Sequence, residues 1–205
     1  IARRGVRPVH ALVAALPFIV PLYVRSGAVL PMTELEQYVG QRHEANQPLP
    51  ITYTIYPGAE GSHTSYLDDG VSRSSAPVAD LALDEDPAGQ GRYRAVTVAH
   101  HLEHQQRIID ITRGNDGYQP IEPCFYLALP HDPDEGVDGG DPLDHVLLGD
   151  TTLPRIVDGS AEQRDAALRA STVAAWYYDD TIRTSFIKVF DDQPALRVTA
   201  AAVPA

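Results

Sequence analysis

The chain has 205 residues, of which 43% are hydrophobic, and its formal net charge is -12 at pH 7. This composition is typical of a folded globular protein with one large domain or two small ones. Nucleic-acid binding is disfavoured because it requires Lys and Arg to neutralise phosphates, whereas here 28 acidic residues outnumber 16 basic ones and no basic stripe occurs.

The N-terminal part contains an apolar run, residues 11–24, which follows three arginines as the apolar part of a secretory signal does. Pro17 and Pro21 interrupt this run, and it is shorter than the ~20 residues that a helix needs to span a bilayer. We therefore predict two short buried strands, residues 9–16 and 22–28, and no membrane partner. A secreted interaction protein with a signal peptide is the alternative interpretation of this segment.

Alternating hydrophobic and polar residues predict strands along most of the remaining chain. Ile51, Tyr53 and Ile55 would share one face of a strand, and the Asp68-Asp69-Gly70 turn after residues 63–67 favours a hairpin. Further strands are predicted at residues 93–99, 107–112, 125–129, 173–178, 184–190 and 196–200. Because each strand needs a second sheet to cover its apolar face, the predicted fold class is all-β, an antiparallel β-sandwich.

Three other segments complete the prediction. A short helix is expected at residues 160–170, where Ser160 and Gln163 have the spacing of a capping box. Cys124 is the only cysteine, so no intrachain disulfide can form, which permits a cytoplasmic protein without excluding export. Residues 132–144 are acidic and glycine-rich, as exposed loops are.

Several segments, in order along the chain, resemble one enzyme family. Residues 20–32, with the sequence Val-Pro-Leu-Tyr-Val-Arg-Ser-Gly-Ala-Val-Leu-Pro-Met, resemble the segment that follows the catalytic barrel in family 31 glycoside hydrolases, the α-glucosidase and α-xylosidase type. Residues 49–57 and 61–70 are similar to the start of the family's distal C-terminal domain, although Leu67 replaces the common Glu. The resemblance continues through residues 126–129, 175–179 and 187–189.

This resemblance implies a division of the chain and a role for it. Residues 1–50 would be the remnant of a proximal C-terminal β domain with its connecting loop, an incomplete β segment, and residues 51–205 a distal β-sandwich domain. The family's catalytic aspartates lie on a (β/α)₈ barrel that needs ~250 residues, more than this chain has. We therefore predict no catalytic residue, and a non-catalytic accessory domain whose partner is the catalytic barrel.

The same division predicts an incomplete proximal sheet, and hence an exposed edge or apolar patch near residues 9–30. Such an edge favours self-association of the separated chain.

Two aromatic residues are candidates for a carbohydrate contact. Trp176 and Tyr178 would share one face of a strand, and an exposed aromatic face can stack on a sugar ring of an oligosaccharide. Burial in the core is the competing interpretation and is favoured for Trp176. A carbohydrate-binding module, with or without calcium, is therefore the alternative function.

Asp68 and Asp69 are candidate calcium ligands, because paired oxygens at an exposed turn suit a hard cation, although a plain hairpin turn is favoured. They do not fit a glycosidase carboxyl pair, since neighbours in an extended chain point to opposite faces. His100, His101 and His104 lack the order of a zinc protease motif and are interpreted as solvated turn histidines. No other cofactor is predicted.

Overall fold

The computed structural model describes residues 8–9, 22–33, 41–48, 50–68, 93–104, 106–121, 123–131 and 143–202. Within these ranges the strands are β1 (Pro8–Val9), β2 (Leu22–Tyr23), β3 (Val29–Thr33), β4 (Ile51–Ile55), β5 (Glu60–Leu67), β6 (Arg94–Glu103), β7 (Gln106–Asp116), β8 (Cys124–Pro130), β9 (Leu143–Leu148), β10 (Thr151–Thr152), β11 (Ala175–Asp179), β12 (Thr184–Phe190) and β13 (Ala195–Ala202). The helices are α1 (Gln41–Glu44) and α2 (Ala161–Ala170). None of the described helices is long and apolar enough to cross a membrane.

The strands form two main sheets. One has six strands in the order β10-β9-β13-β7-β6-β5, and the other has five in the order β11-β12-β8-β4-β3. Neighbouring strands are antiparallel, with the exception of the parallel pair β4 and β8. β1 and β2 pair in a separate two-stranded sheet. The all-β, antiparallel β-sandwich predicted from the sequence is confirmed.

The main core lies between the two sheets and is built from alternate residues of each strand. Val96 and Val98 of β6 are fully buried, as are Tyr53 and Ile55 of β4, and Ile51 packs against the same cluster. The predicted alternation of β4 is therefore correct. Full burial of one such side chain contributes about 1.5–3 kcal/mol, so this layer supplies much of the driving force for folding.

A second, smaller core lies on the other side of the five-stranded sheet, beneath α2. Ser160 caps the helix, since its hydroxyl accepts from Gln163 N and the Gln163 side chain accepts from the Ser160 N–H, as the capping-box spacing predicts. Leu168 packs with Tyr126, Ala175 and Tyr177. Because Trp176 and Tyr178 belong to the main core, β11 is buried on both of its faces.

The single lysine of the chain holds the end of this helix. Lys188 of β12 is 3% exposed, and its Nζ donates to the carbonyl oxygens of Arg169 (2.7 Å) and Ser171 (3.1 Å). These carbonyls have no partner within the helix, and a cation there interacts favourably with the helix dipole. The Lys188 ammonium also lies 5.5 Å from the Tyr126 ring centroid.

The N-terminal strands differ from the prediction. Residues 22–28 do not form one strand, because β2 ends at Tyr23 and a turn follows before β3 begins at Val29. β3 contains Pro31 and lies at the end of the sheet order, where the missing N–H of a proline is tolerated. Most of the predicted strand at residues 9–16 falls outside the described residues.

β3 also bears on the division of the chain. It precedes the predicted boundary at residue 50, yet it pairs with β4 over five residues, Val29 opposite Ile55 through Thr33 opposite Ile51. Val29 belongs to the main core. The structure thus joins β3 to the sandwich, and the assignment of residues 1–50 to a separate domain stays a prediction.

Candidate functional site

The segment that carries the family resemblance folds as a tight turn at residues 25–28. The Ala28 N–H donates to the Arg25 carbonyl (3.0 Å), and Gly27 has a positive φ of 78°, which a residue with a side chain adopts rarely. Gly27 N and Ser26 Oγ both donate to the Pro57 carbonyl, at 2.9 and 3.0 Å. The turn is therefore fastened to the connection between β4 and β5.

Close backbone packing at this turn requires three glycines, Gly27, Gly58 and Gly61, which we call the glycine junction. A Cβ at Gly61 would lie 1.7 Å from the Gly27 oxygen, and one at Gly58 would lie 2.3 Å from the Gly27 nitrogen. A Cβ at Gly27 would lie 2.2 Å from the Glu60 oxygen. Since each clash is with backbone, no side-chain movement could relieve it.

His100 of β6 forms a hydrogen bond to the glycine junction. Its Nε2 donates to the Gly27 carbonyl at 2.9 Å, and its Nδ1 accepts from Arg107 Nη1 at 3.0 Å. These two partners define the neutral tautomer with the proton on Nε2. Burial lowers the pKa of His100 from its ordinary value of 6.5 against the opposing effect of the Gly27 bond, and Arg107 and His101 lower it further.

A groove with a volume of about 640 Å³ opens beside the glycine junction. Residues 25–29, 60–62 and 99–101 line it. Its side chains include the charged groups of Arg25 and Glu60 and the imidazole of His101. The volume lies within the ~300–1,000 Å³ range of small-molecule sites, and the lining offers hydrogen-bond donors and acceptors to a polar ligand.

The histidine cluster is split by the strand geometry. His100 is 3% exposed, so its interpretation as a solvated turn histidine is wrong. His101 follows it on β6 with its side chain 44% exposed, because successive side chains of a strand point to opposite faces. His104 lies at the turn between β6 and β7, with a side chain that is 90% exposed and a positive φ of 48°. The sequence signal for a buried His100, alternation with Val96 and Val98, was present.

The two predicted carbohydrate-binding aromatics lie inside the protein. Trp176 is 1% exposed and Tyr178 is 8% exposed, and both belong to the main core. The core interpretation of Trp176 therefore agrees with the structure. Neither ring offers a free face for stacking on a sugar here, and sugar binding by these two residues stays an untested prediction that their burial disfavours.

The predicted calcium ligands are partly described. Asp68 is exposed just after β5, whereas Asp69 and the acidic residues 132–142 lie outside the described residues. β5 pairs with β6, with Leu67 opposite Arg94, so the hairpin partner of β5 begins at Arg94 and not directly after the predicted Asp68-Asp69-Gly70 turn. Among the described residues, no group of three or more His, Cys, Asp or Glu side chains is placed to hold a metal ion. The calcium site stays a prediction.

A buried ionic cluster was missed by the sequence analysis. Arg94 of β6 forms an ion pair with Asp191, which follows β12, and both side chains are 1% exposed. Arg113 Nε lies 3.5 Å from the same carboxylate, and Arg94 Nη1 donates to Gln119 Oε1 at 3.3 Å. Arg94 and Asp191 are 97 positions apart, and only the folded sandwich brings them together. A buried carboxylate held by two guanidiniums links the two sheets.

Comparison with known proteins rests on the fold. No family model matches the sequence, and no curated protein matches it. The GH31 dextranase of Flavobacterium johnsoniae, complexed with isomaltotriose, matches 89% of this chain with a TM-score of 0.66 and 20% identity. The chain has a GH31-like C-terminal fold. The family 31 resemblance of the sequence is thereby confirmed at the level of the fold.

Two further solved structures share the GH31-like fold. The α-1,4-glucan lyase of Gracilariopsis lemaneiformis matches 88% of this chain with a TM-score of 0.58 and 18% identity, over 16% of its own chain. The cycloalternan-forming enzyme of Listeria monocytogenes, in complex with a pentasaccharide substrate, matches 89% with a TM-score of 0.52 and 12% identity, over 14% of its own chain. For the dextranase the matched share of its own chain is 20%, so the present chain spans a fifth or less of these enzymes.

Proposed function

We propose that this GH31-like domain is a non-catalytic accessory domain of an enzyme that hydrolyses α-glycosides, and that it buttresses the enzyme's catalytic barrel. The observation that carries this proposal is the match in fold, which extends over 89% of this chain but only 20% of the dextranase. The motif-bearing turn at residues 25–28, where the family resemblance is strongest, is built into the sandwich by the glycine junction.

The bonding of three described carboxylates supports a structural role for them. Asp191 is buried between two arginines, and Asp110 accepts two hydrogen bonds from Arg197, at 2.7 and 3.1 Å. Asp179 accepts from the backbone N–H groups of residues 181 and 182. A retaining glycosidase instead needs two carboxyl groups about 5 Å apart across a sugar, one of them a proton donor.

We place the barrel-facing surface at the N-terminal end of the sandwich, around β2 and β3. Tyr23 and Met32 are 61% and 55% exposed, and both flank the turn at residues 25–28. Among the described strands, β3 lies at the end of its sheet's order, a position where a further strand can pair. Large exposed apolar side chains beside a strand edge are typical of a surface that packs against another domain.

The first experiment measures α-glucosidase and α-xylosidase activity with chromogenic glycosides, for this chain and for the product of the complete gene. We expect activity in the longer protein alone. Hydrolysis by the 205-residue chain itself would overturn the accessory role.

A second experiment tests the surface. Replacing Tyr23 and Met32 with Ser in the complete gene product should lower its thermal stability and, in the separated chain, reduce self-association in size-exclusion chromatography. Val173→Ser with Ile182→Ser is the matched control, because these residues are 57% and 58% exposed at the other end of the chain. Equal effects of the two pairs would contradict the assignment of this surface.

A further inference from the structure

The outward side of the six-stranded sheet carries several small and hydroxyl-bearing side chains over β5, β6 and β7. Five outward-facing residues at the centre of this area are small or carry hydroxyl groups: Ser62 and Thr64 on β5, Thr97 and Ala99 on β6, and Thr112 on β7. Asp110 of β7, opposite Ala99, is a charged neighbour on the same side. Register places Ser62 opposite Ala99, and Thr64 opposite Thr97, which in turn is opposite Thr112. We call this area, together with Tyr66 and Tyr93, the open face.

Two tyrosines mark one end of the open face. Tyr66 of β5 is 73% exposed, the largest exposure among the described large hydrophobic residues that lie on the surface. Its ring centroid lies 5.9 Å from that of Tyr93, at an interplanar angle of 48°. Tilted aromatic pairs at this separation attract each other, so Tyr93 holds the Tyr66 ring in position while leaving most of it in contact with solvent.

A row of hydroxyl groups continues from these rings across the strands. Thr64 Oγ1 and Thr97 Oγ1 are 2.9 Å apart and hydrogen-bonded, which fixes their rotamers, and Thr112 is exposed next in the same row. Each hydroxyl can both donate and accept a hydrogen bond. The row therefore matches the bonding capacity of sugar hydroxyl groups, which also donate and accept.

Within the part of the chain that the structure describes, the charged groups of this area lie beside the threonine row and not in it. Asp110 and Arg197 form a two-bond ion pair in the next row, beyond Ala99, with side-chain exposures of 32% and 62%. At the far end of β5 lie Glu60 and His101, opposite each other in the register and also part of the groove. The open face is thus neutral at its centre, on a chain whose net charge is -12.

The dimensions suit a short chain of sugar rings. Tyr66 lies four positions after Ser62, or about 13 Å along the strand at ~3.3 Å per residue, and β5 to β7 spans about 10 Å at ~4.8 Å between strands. Ser62 also lines the groove beside the glycine junction. A ligand that stacks on Tyr66 can therefore extend over the hydroxyl row towards the groove.

We propose that the open face binds a neutral oligosaccharide, with Tyr66 and Tyr93 stacking on sugar rings and the threonine row bonding their hydroxyl groups. Aromatic faces take up the apolar side of a sugar, and polar groups placed beside them orient it. The choice of α-glucans as the sugar class rests on the proposed function. The binding itself does not depend on contact with a catalytic barrel.

The test is calorimetric titration of the 205-residue chain with maltotetraose and with isomaltotriose. We expect saturable binding of at least one of them, and Tyr66→Ala should weaken it roughly tenfold or more, the effect of losing one stacking contact. Tyr66→Trp should restore binding, since Trp offers a larger ring. Ile182→Ala is the matched control, as Ile182 is 58% exposed and lies between β11 and β12 of the other sheet.

Two results would overturn the proposal. One is the absence of saturable heat with both sugars from protein that gives a cooperative thermal transition. The other is binding that Tyr66→Ala and Ile182→Ala weaken equally. Failure of the accessory role would be seen separately, as hydrolysis of chromogenic glycosides by this chain, so the two proposals can fail independently.

Discussion

The outer sides of the two sheets differ in whether other parts of the chain cover them. On the five-stranded sheet, α2 covers an apolar layer of Tyr126, Ala175 and Tyr177, and the aromatic rings there are buried. On the six-stranded sheet, the open face presents threonines and the exposed Tyr66. Aromatic residues thus pack in the interior on one side and are exposed to solvent on the other. Residue type alone therefore does not tell whether an aromatic side chain belongs to the core or to a binding surface.

The largest expected effect of a substitution lies on the covered side. Leu168→Ala should lower the free energy of unfolding by about 2–5 kcal/mol, because Leu168 is 1% exposed and its loss leaves a cavity beneath α2. Thr112→Ala on the open face should change it by less than about 0.5 kcal/mol. Urea denaturation of both variants measures the contrast, and similar losses would show that the two sides do not differ as described.

A second contrast compares two cations. Lys188→Met should cost about 1.5–3 kcal/mol, because two carbonyls at the end of α2 lose a charged donor in a buried place. Arg197→Met removes an ion pair whose Arg side chain is 62% exposed, and should cost less than about 1 kcal/mol. Thermal unfolding followed by circular dichroism gives both values, and a larger loss for Arg197→Met would reverse the ranking.

The third contrast compares neighbouring histidines on β6 whose side chains point to opposite faces. The pKa of His100 is lowered in the folded state, so below about pH 6.5 the unfolded chain binds more protons than the native one. Stability due to His100 is therefore complete above about pH 6.5 and is lost as the pH falls towards the lowered pKa. Each unit of pKa lowering corresponds to about 1.4 kcal/mol.

His100→Gln should remove this part of the pH dependence. A glutamine amide can donate to the Gly27 carbonyl and accept from Arg107, and it does not titrate. His101→Gln, on the exposed side of the same strand, is the control and should change the pH profile much less than His100→Gln does, because it keeps both His100 hydrogen bonds and removes only the smallest of the effects that lower the His100 pKa. If His101→Gln removed the acid sensitivity as fully as His100→Gln, the acid sensitivity could not be assigned to His100.

A change in stability as small as that of Thr112→Ala is expected for the residue on which the binding proposal depends. Tyr66→Ala should alter the free energy of unfolding by less than about 0.5 kcal/mol, because the side chain is 73% exposed. Denaturant melts of this variant then separate a lost sugar contact from a lost fold. A decrease of several kcal/mol would mean that Tyr66 supports the sheet and would remove it as evidence for a binding surface.

The parts of the fold that depend on local chemistry were predicted from the sequence. The capping box of Ser160 and Gln163 defines the start of α2, and alternation along β4 places Tyr53 and Ile55 in the core. Both patterns repeat over a few residues, so their physical cause lies within the segment itself. β9 was missed, since its apolar residues follow an acidic, glycine-rich stretch and show no clear alternation.

Features that depend on contacts between distant segments were not predictable in this way. Trp176 and Tyr178 are both buried because β11 lies between the main core and the layer beneath α2. The sequence of the strand does not predict that both of its faces are covered. The sequence predicts a strand around Tyr66 but does not show that its ring is exposed. The pairing of Arg94 with Asp191 likewise requires the two sheets to be in place.

The burial of Lys188 has a consequence for chemical labelling. Since it is the only lysine in the sequence, the folded chain presents no accessible lysine amine to an acylating reagent. Modification of Lys188 requires its Nζ to leave the carbonyls of Arg169 and Ser171, so the rate of acylation reports the opening of α2 from the sheet. The sequence thus carries a built-in probe of local unfolding that needs no added label.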